Sequence, residues 1–359
     1  MKVLYLINYA GSGGSERYVE LLAGYYHNNK ASCGLCYNVD GPLVEKMKAL
    51  GIPVHQLPMR NPLDLSAAKK LAALVKKEGY DVIHAQYPRE NYIAILSKLF
   101  GCKARVVFTS HLISEQPPVW RLLNRLFTPH DHAVLTVCTY GKEVLERGGV
   151  AKDKIRIVFN GVDAPAAPRR DRTVLREFGI GVEETVITIL TRFSEEKGVP
   201  FLLRSIARLK EQTTVPFRLL LVGTGPDFDR DKALVPELGL EDKVVLTGFR
   251  TDTARLLAAS DIYLNSSSSE AMSFAILEAL GAGLPLVLTD VGGNPELVNT
   301  GGICGLLAPY GDEDAYAGAI AKLLEDDALR ARYAAAARAK AEGEFDLYTL
   351  LDKLFEIYK

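Results

Sequence analysis

Asn265-Ser266-Ser267-Ser268-Ser269-Glu270-Ala271-Met272-Ser273-Phe274-Ala275-Ile276-Leu277-Glu278-Ala279-Leu280-Gly281-Ala282-Gly283-Leu284-Pro285 decides how the rest of the chain is read. The apolar residues 262–264 ahead of it predict a buried strand, and the serines predict a small polar loop. The apolar spacing from Phe274 predicts a short helix opening near Ser273. Such an opening presents the backbone N–H groups of Met272, Ser273 and Phe274 beside the positive end of the helix, an anion site suited to a diphosphate. Glu270 precedes those donors and Glu278 lies about one turn inside the helix. A carboxylate beside a phosphate site repels phosphate and needs another task. Accepting hydrogen bonds from the vicinal hydroxyls of a ribose is one. A helix cap at Glu270 and a solvated Glu278 fit the same spacing.

The same strand, loop and helix alternation extends through most of the 359 residues. Apolar runs without alternation at 2–7, 31–39, 54–56, 81–85, 105–109, 132–138 and 155–159 predict strands buried on both faces, hence parallel strands with crossover helices such as 15–26 and 66–78. A second series follows at 186–190, 218–222, 243–246, 262–264, 285–289 and 305–307, with helices at 200–211, 274–279 and 315–324. Residues 163–171, poor in bulky apolar side chains and carrying Pro165 and Pro168, have the composition of a linker. The fold class is therefore α/β with two doubly wound domains, residues 1–163 and 164–344, followed by closing helical sequence. Open parallel sheets bind ligands at the carboxyl ends of their strands, so the cleft between the domains is the expected site.

Four further features fall just after strands. Arg192 and Lys197 follow the strand at 186–190; a guanidinium fork and an ammonium suit a leaving diphosphate, although local pairing with Glu195 and Glu196 fits too. Gly11-Ser12-Gly13-Gly14-Ser15-Glu16 is a Gly-rich turn into a helix that lets a ligand approach the backbone, but Glu16 stands where the third glycine of a dinucleotide fingerprint belongs. His111 ends the strand at 105–109, where it can reach the cleft or serve as a hydrogen-bonded structural residue. Asp227 and Asp229 open a helix after a Gly-Thr-Gly-Pro turn, where Asp is common for capping. No metal site is expected there, nor at Cys33 and Cys36, which fall in a strand as buried thiols, nor at His130 and His132.

Taken together, Glu270 and Glu278, the tail Leu277 to Pro285 and Gly292-Gly293-Asn294-Pro295-Glu296 resemble the donor-site signature of glycosyltransferase family 4, of GT-B fold, in which two Rossmann-like domains face across a cleft. Arg192 to Gly198, Leu219 to Pro226, Gly248-Phe249 and Asn160-Gly161-Val162-Asp163 follow in that family's order, and the resemblance covers nearly the whole chain. It implies retaining, metal-independent transfer of a sugar from a nucleoside-diphosphate sugar, with the donor on the second domain, the acceptor on the first, and domain closure assembling the site. It also implies that Arg192 and Lys197 stabilise the diphosphate, that Met272, Ser273 and Phe274 hold phosphate or sugar through their backbone, and that Glu278 binds ribose. Glu270 would contact the transferred sugar, Gly13 and Gly14 would approach the donor, and His111 would help position or polarise the sugar. The closing helix, about 345–359, is expected to return to the first domain. Ala271 stands where the family most often has Gly, Asn265 where Pro is frequent, and Cys138-Thr139-Tyr140 where Ser is usual. A nucleotide-sugar epimerase or phosphorylase of the same fold, or a non-catalytic two-lobed small-molecule binder, would share part of this pattern.

Composition bounds the setting. With 43 Lys and Arg against 44 Asp and Glu, the chain is not a generally basic nucleic-acid binder. Residues 1–163 hold 21 basic against 14 acidic residues, net +7, leaving residues 164–359 at net −8. Lys69, Lys70, Lys76 and Lys77 share one predicted helix, and Trp120 to Phe127 reads as a basic amphipathic segment, so the first domain suits an anionic membrane surface and a lipid-linked acceptor; a solvated helix face and a core-facing leucine pattern fit the same residues. The longest apolar stretch, 274–288, is broken by Glu278, Gly281, Gly283 and Pro285, so no membrane span is expected. Five cysteines, an odd number, and an apolar start too short for a secretory signal point to the cytoplasm, with peripheral contact at the inner face of the membrane.

Overall fold

The computed structural model describes residues 1–11, 13–28, 32–111, 113, 117–164, 171–181 and 183–359. Ser12 of the Gly-rich turn and residues 165–170 of the expected linker lie outside the described residues. The chain forms two compact units, one of Met1–Phe159 with Thr349–Lys359 and one of Asn160–Tyr348. The second unit starts at Asn160, ahead of the compositional boundary, because its backbone is already bound there: Asn160 N donates to Met272 Sδ (3.2 Å) and Val162 N to Phe345 O (2.9 Å), with the Asn160 side chain donating to Met272 O (3.0 Å).

The first unit holds β1 (Lys2–Tyr9), α1 (Gly14–Asn28), β2 (Ser32–Val39), α2 (Pro42–Ala49), β3 (Val54–Gln56), α3 (Leu65–Glu78) and β4 (Val82–Ala85). It continues with α4 (Pro88–Ser97), β5 (Arg105–Ser110), α5 (Pro118–Phe127), β6 (Ala133–Thr136), α6 (Thr139–Arg147) and β7 (Ile155–Ile157). All strands pair in parallel, in the order β3-β2-β1-β4-β5-β6-β7. Val3 to Ile7 are buried because helices cover both faces of the sheet, which is why the run carries no polar alternation. In α3, Asp64 caps the start by accepting from Ala67 N (3.0 Å), and Gly79 ends the helix in the left-handed region at φ +71°. Ala67, Ala68, Leu71, Ala72 and Val75 form its buried stripe, and the four lysines face water.

The second unit holds β8 (Thr185–Leu190), α7 (Val199–Gln212), β9 (Phe217–Val222), α8 (Phe228–Glu237), β10 (Val244–Gly248), α9 (Thr253–Ala259) and β11 (Ile262–Asn265). It continues with α10 (Phe274–Gly281), β12 (Leu286–Thr289), α11 (Asn294–Asn299), β13 (Gly305–Ala308), α12 (Glu313–Glu325) and α13 (Asp327–Glu342). Its parallel sheet runs β10-β9-β8-β11-β12-β13 over a core that includes Phe193, Phe201, Leu203 and Tyr316. In both sheets the strand order reverses beside the first strand, between β1 and β4 and between β8 and β11. Neighbouring crossovers there leave on opposite faces, which opens a crevice at the strands' carboxyl ends.

The last helix, α14 (Leu347–Tyr358), begins in the second unit and ends in the first. Its end is tied to the first unit's sheet. Arg105 donates to Tyr358 O (2.7 Å), Tyr25 donates to Asp352, and the Tyr358 hydroxyl meets His84 Nδ1 at 2.6 Å with both groups fully buried. The other nitrogen of His84 meets Thr109 Oγ1 at 2.7 Å, so the ring is satisfied on both sides while neutral, and burial pushes its pKa down to about 3. Tyr358→Phe leaves one ring nitrogen unpaired in the core; thermal unfolding should show a loss of about 1–3 kcal/mol, and an unchanged melting curve would show that the bond carries no stability.

Candidate active site

The second unit's crevice is made of the loops after β8 and β11. The first of these is held from behind by the loop after β9: Phe193 donates to Thr224 O (3.0 Å) and Asp227 N to Phe193 O (3.1 Å). Two glycines permit that approach, since a Cβ on Gly223 would stand 1.9 Å from Thr191 O and one on Gly225 2.2 Å from Phe193 O. Arg192 is exposed at the end of β8, and a short turn delivers Lys197 to Gly198.

The two loops are stitched together. Ser266 Oγ donates to Lys197 O (2.9 Å), Ser268 N donates to Glu196 O (2.8 Å), and Lys197 Nζ bonds Glu270 Oε2 at 2.7 Å. Lys197 is 24% and Glu270 11% exposed, so the pair is partly shielded from water yet reachable from the crevice. Behind Glu270 runs a buried polar chain. Ser267 donates to Glu270 Oε2 (3.1 Å), Asn265 Nδ2 to Ser267 Oγ (3.1 Å), and Asn294 Nδ2 to Asn265 Oδ1 (3.1 Å) and to Thr289 O (2.9 Å). Gly293 N fixes the backbone by donating to Glu270 O (3.0 Å). Glu270 is therefore aimed by its neighbours and does not cap α10.

Ser273 is the residue before α10, and the first helical bond is donated by Leu277 to Ser273 O, so the N–H groups ahead of Leu277 lie outside the helical ladder. Met272 is buried, with Sδ accepting from Asn160 N (3.2 Å) and O from Asn160 Nδ2. This holds the backbone of Met272, Ser273 and Phe274 in place. Glu278 lies one turn into α10. The Tyr263 hydroxyl, whose pKa is raised chiefly by burial, is raised further by the charges of Glu278 and Glu270, which places both carboxylates near one buried ring. Asp227 pairs with Arg230 at 3.1 Å, and among the described residues no cluster of three His, Cys, Asp or Glu has the arrangement of a metal site. Cys33 and Cys36 are buried thiols, pushed up to about 11 and about 12 by burial.

The first unit places His111 just past the end of β5 and Gly13 and Gly14 at the start of α1. A Cβ on Gly13 would stand 2.8 Å from Glu16 Oε2, so the glycine leaves room for that carboxylate. His111 Nε2 meets Gln86 Oε1 at 2.9 Å, and Gln86 Nε2 donates to His84 O (3.2 Å). The second bond fixes the amide with its oxygen toward His111, so Nε2 carries the proton and Nδ1 the lone pair. Packing against the edge of Tyr18, 5.1 Å between ring centres, accompanies a pKa lowered by burial to about 4. His111 is thus a neutral hydrogen-bond acceptor at pH 7. Sequence spacing identified His111 but not Gln86, and Lys197 and Glu270 but not Asn265, Ser267 or Asn294. The clue lay in the serine cluster and in Asn294 between Gly293 and Pro295. Gln86→Glu puts a carboxylate against the imidazole; NMR titration of the ring protons should move the His111 pKa up to or above its ordinary 6.5, and a pKa still near 4 would refute the hydrogen bond's role.

The fold and these crevices define an enzyme of GT-B architecture that transfers sugars. Residues 12–164 match the sequence profile of Glycosyltransferase Family 4 and residues 171–340 that of Glycosyl transferases group 1. The chain is 31% identical over 307 residues to the N-acetyl-alpha-D-glucosaminyl L-malate synthase of Bacillus anthracis, covering 83% of this chain and 79% of that one. It is 27% identical, over 92% of each chain, to the N-acetylgalactosamine-N,N'-diacetylbacillosaminyl-diphospho-undecaprenol 4-alpha-N-acetylgalactosaminyltransferase of Campylobacter jejuni. The crystal structure of Anabaena HepE in complex with UDP superposes with a TM-score of 0.86 over 99% of both chains at 24% identity, a likeness of fold. The chain belongs to glycosyltransferase family 4.

Proposed function

We propose that the enzyme moves a sugar from a nucleoside-diphosphate sugar, with retention and without a metal, onto a lipid-linked or cell-envelope glycan precursor. The observation that carries this reading is the Lys197–Glu270 pair at the second unit's strand reversal, with Arg192 on the same loop as Lys197 and an open helix start beside it. Departure of a nucleoside diphosphate leaves negative charge on its terminal phosphate. Arg192, Lys197 and the N–H groups of Met272, Ser273 and Phe274 are donors oriented before the reaction, so they stabilise that charge without reorganising. Glu278 accepts from the ribose hydroxyls, and Glu270, oriented by Ser267, accepts from hydroxyls of the transferred sugar. His111 contributes Nδ1 as acceptor for a further sugar hydroxyl. As the bond to phosphate breaks, positive charge grows on the anomeric carbon; the acceptor oxygen attacks there from the same face, its proton passes to an oxygen of the departing diphosphate, and nucleoside diphosphate leaves.

Supplying a panel of nucleotide sugars and following nucleotide release together with a new glycosidic bond tests the reading. Lys197→Ala and Glu270→Ala should each lower turnover by about 100-fold or more while circular dichroism stays unchanged. Near-normal turnover in both would sink the assignment, and epimerised sugar or sugar phosphate as product would favour the other activities of the fold.

The Campylobacter relative acts on a diphospho-undecaprenol acceptor, which supports a lipid-linked acceptor here. In α5, Val119, Leu122 and Leu126 are 59%, 58% and 58% exposed along one stripe, with Arg121 and Arg125 also exposed. Among the described residues no helix is long and apolar enough to cross a membrane. The reading is therefore an enzyme on the inner face of the membrane, with α5 lying in the interface. Vesicles containing anionic lipid should co-sediment the protein at low salt and release it at high salt; equal binding to neutral vesicles, or none to either, would count against the contact.

A further inference from the structure

At the other end of the first unit's sheet, where β1, β4 and β5 begin, a cavity of about 850 Å³ lies between the end of α3 and the segment that leads into β5. Val75, Tyr80, Cys102 and Ala104 line it as buried side chains, and Phe100 lines it while 42% exposed. Lys76, Lys103 and Arg105 line it as well, all three exposed. Neither lysine has a partner among the described residues, and Arg105 uses Nη1 to donate to Tyr358 O (2.7 Å). The other charges of the lining are engaged: Asp81 Oδ2 accepts from Lys2 N (2.7 Å), and Lys359 Nζ donates to Glu356 Oε1 (2.7 Å). Helix ends account for part of the positive charge, since Lys76 stands in the last turn of α3 and Arg105 reaches a carbonyl at the end of α14. Lys103 belongs to neither helix, and most of the N–H groups of Arg105 are left over.

Cations set around an apolar lining complement a phosphate ester, whose oxygens meet the charges while its organic part takes the apolar surface. Three cations suit the several oxygens of a phosphate better than the two of a carboxylate. We infer that this cavity is a second ligand site, binding a phosphate ester with an apolar organic part, of a phospholipid headgroup or of a free phosphate ester, through Lys76, Lys103 and Arg105 and against Phe100. Its volume falls in the range of about 300–1,000 Å³ usual for small-ligand sites. A strand of the length of β5 spans about 20 Å, so a ligand held at its start stays clear of the crevice at its carboxyl end. The inference therefore stands apart from the reading of sugar transfer.

Backbone amide chemical shifts of the full chain locate such a ligand. Phenyl phosphate, and dihexanoyl phosphatidylglycerol kept too dilute to form micelles, should shift the amides of residues 100–105 with a Kd of roughly 0.1–1 mM. Inorganic phosphate, which lacks the apolar part, should bind about tenfold more weakly. The tighter of the two esters identifies the source, lipid headgroup or free phosphate ester. Lys76→Glu combined with Lys103→Glu removes no bond seen in the fold and should weaken both esters about tenfold or more. Amides of residues 100–105 that stay unmoved, zwitterionic dihexanoyl phosphatidylcholine bound as tightly as the glycerol lipid, or esters held equally well by the double variant would each overturn the inference. Should the double variant fail to fold by its melting curve, the shift map and the comparison of the two lipids on the native chain decide alone.

Discussion

Two parallel sheets, each reversing its strand order beside its first strand, impose the constraint on which everything else depends. At a reversal the chain leaves neighbouring strands toward opposite faces, and no helix can cover the carboxyl ends between them. The backbone groups and side chains there must be satisfied by loops bonding to each other. In the second unit this is done by Ser266, Ser268 and Lys197, which join the loops after β8 and β11. Gly198 permits the join: its φ is +63°, and a Cβ there would stand 2.2 Å from Ser266 O. A rigid pair of loops with a cation, a carboxylate and an open helix start is what the topology leaves at that place.

A charged pair in such a position balances two demands. Lys197 and Glu270 would each lose hydration on partial burial, and their mutual bond offsets that loss. Because Glu270 also accepts from Ser267 and is anchored through Asn265 and Asn294, its orientation does not depend on Lys197 alone. Lys197 is on a flexible stem and can address a phosphate without the carboxylate losing its place. The histidines of the first unit show the same economy of charge. His84 and His111 are kept neutral by burial and by partners that suit the neutral ring, so near pH 7 neither adds a positive charge.

Much of the fold was legible because strands buried on both faces are written as uninterrupted apolar runs; each of the thirteen expected runs overlaps a strand. The ends shifted where the ladder, not hydrophobicity, decides. β1 extends through Asn8 to Tyr9 because Tyr9 still pairs with Val39, and β6 stops at Thr136 because Cys138 caps α6, its Sγ accepting from Gly141 N (3.3 Å). Among the candidate site residues, Arg192, Lys197, His111 and Glu270 stand out by residue type just after a strand, and Glu278 by its place in the helix that follows. Their supports do not. Gln86 lies 25 residues from His111, and Asn294 lies 29 from Asn265, so neither shares a local pattern with the group it positions. Glu90 was illegible for a different reason: a glutamate in a helix reads as solvated, and only the fold shows that α4 is buried along most of its length, Glu90 included.

The two crevices share a topology, and each sets charges of both signs around it. Strand reversal supplies an opening without regard to what enters it. The second unit, net acidic by sequence, sets Arg192 and Lys197 at its opening together with Glu270 and Glu278. The first, net basic, borders its opening with Glu16 and Arg89. A surface field acts over roughly a Debye length of 8–10 Å and governs approach, whereas a buried group acts at contact and governs which ligand stays. With both signs present at each opening, the net charge of a unit says how ligands approach it and the individual side chains say what they meet there.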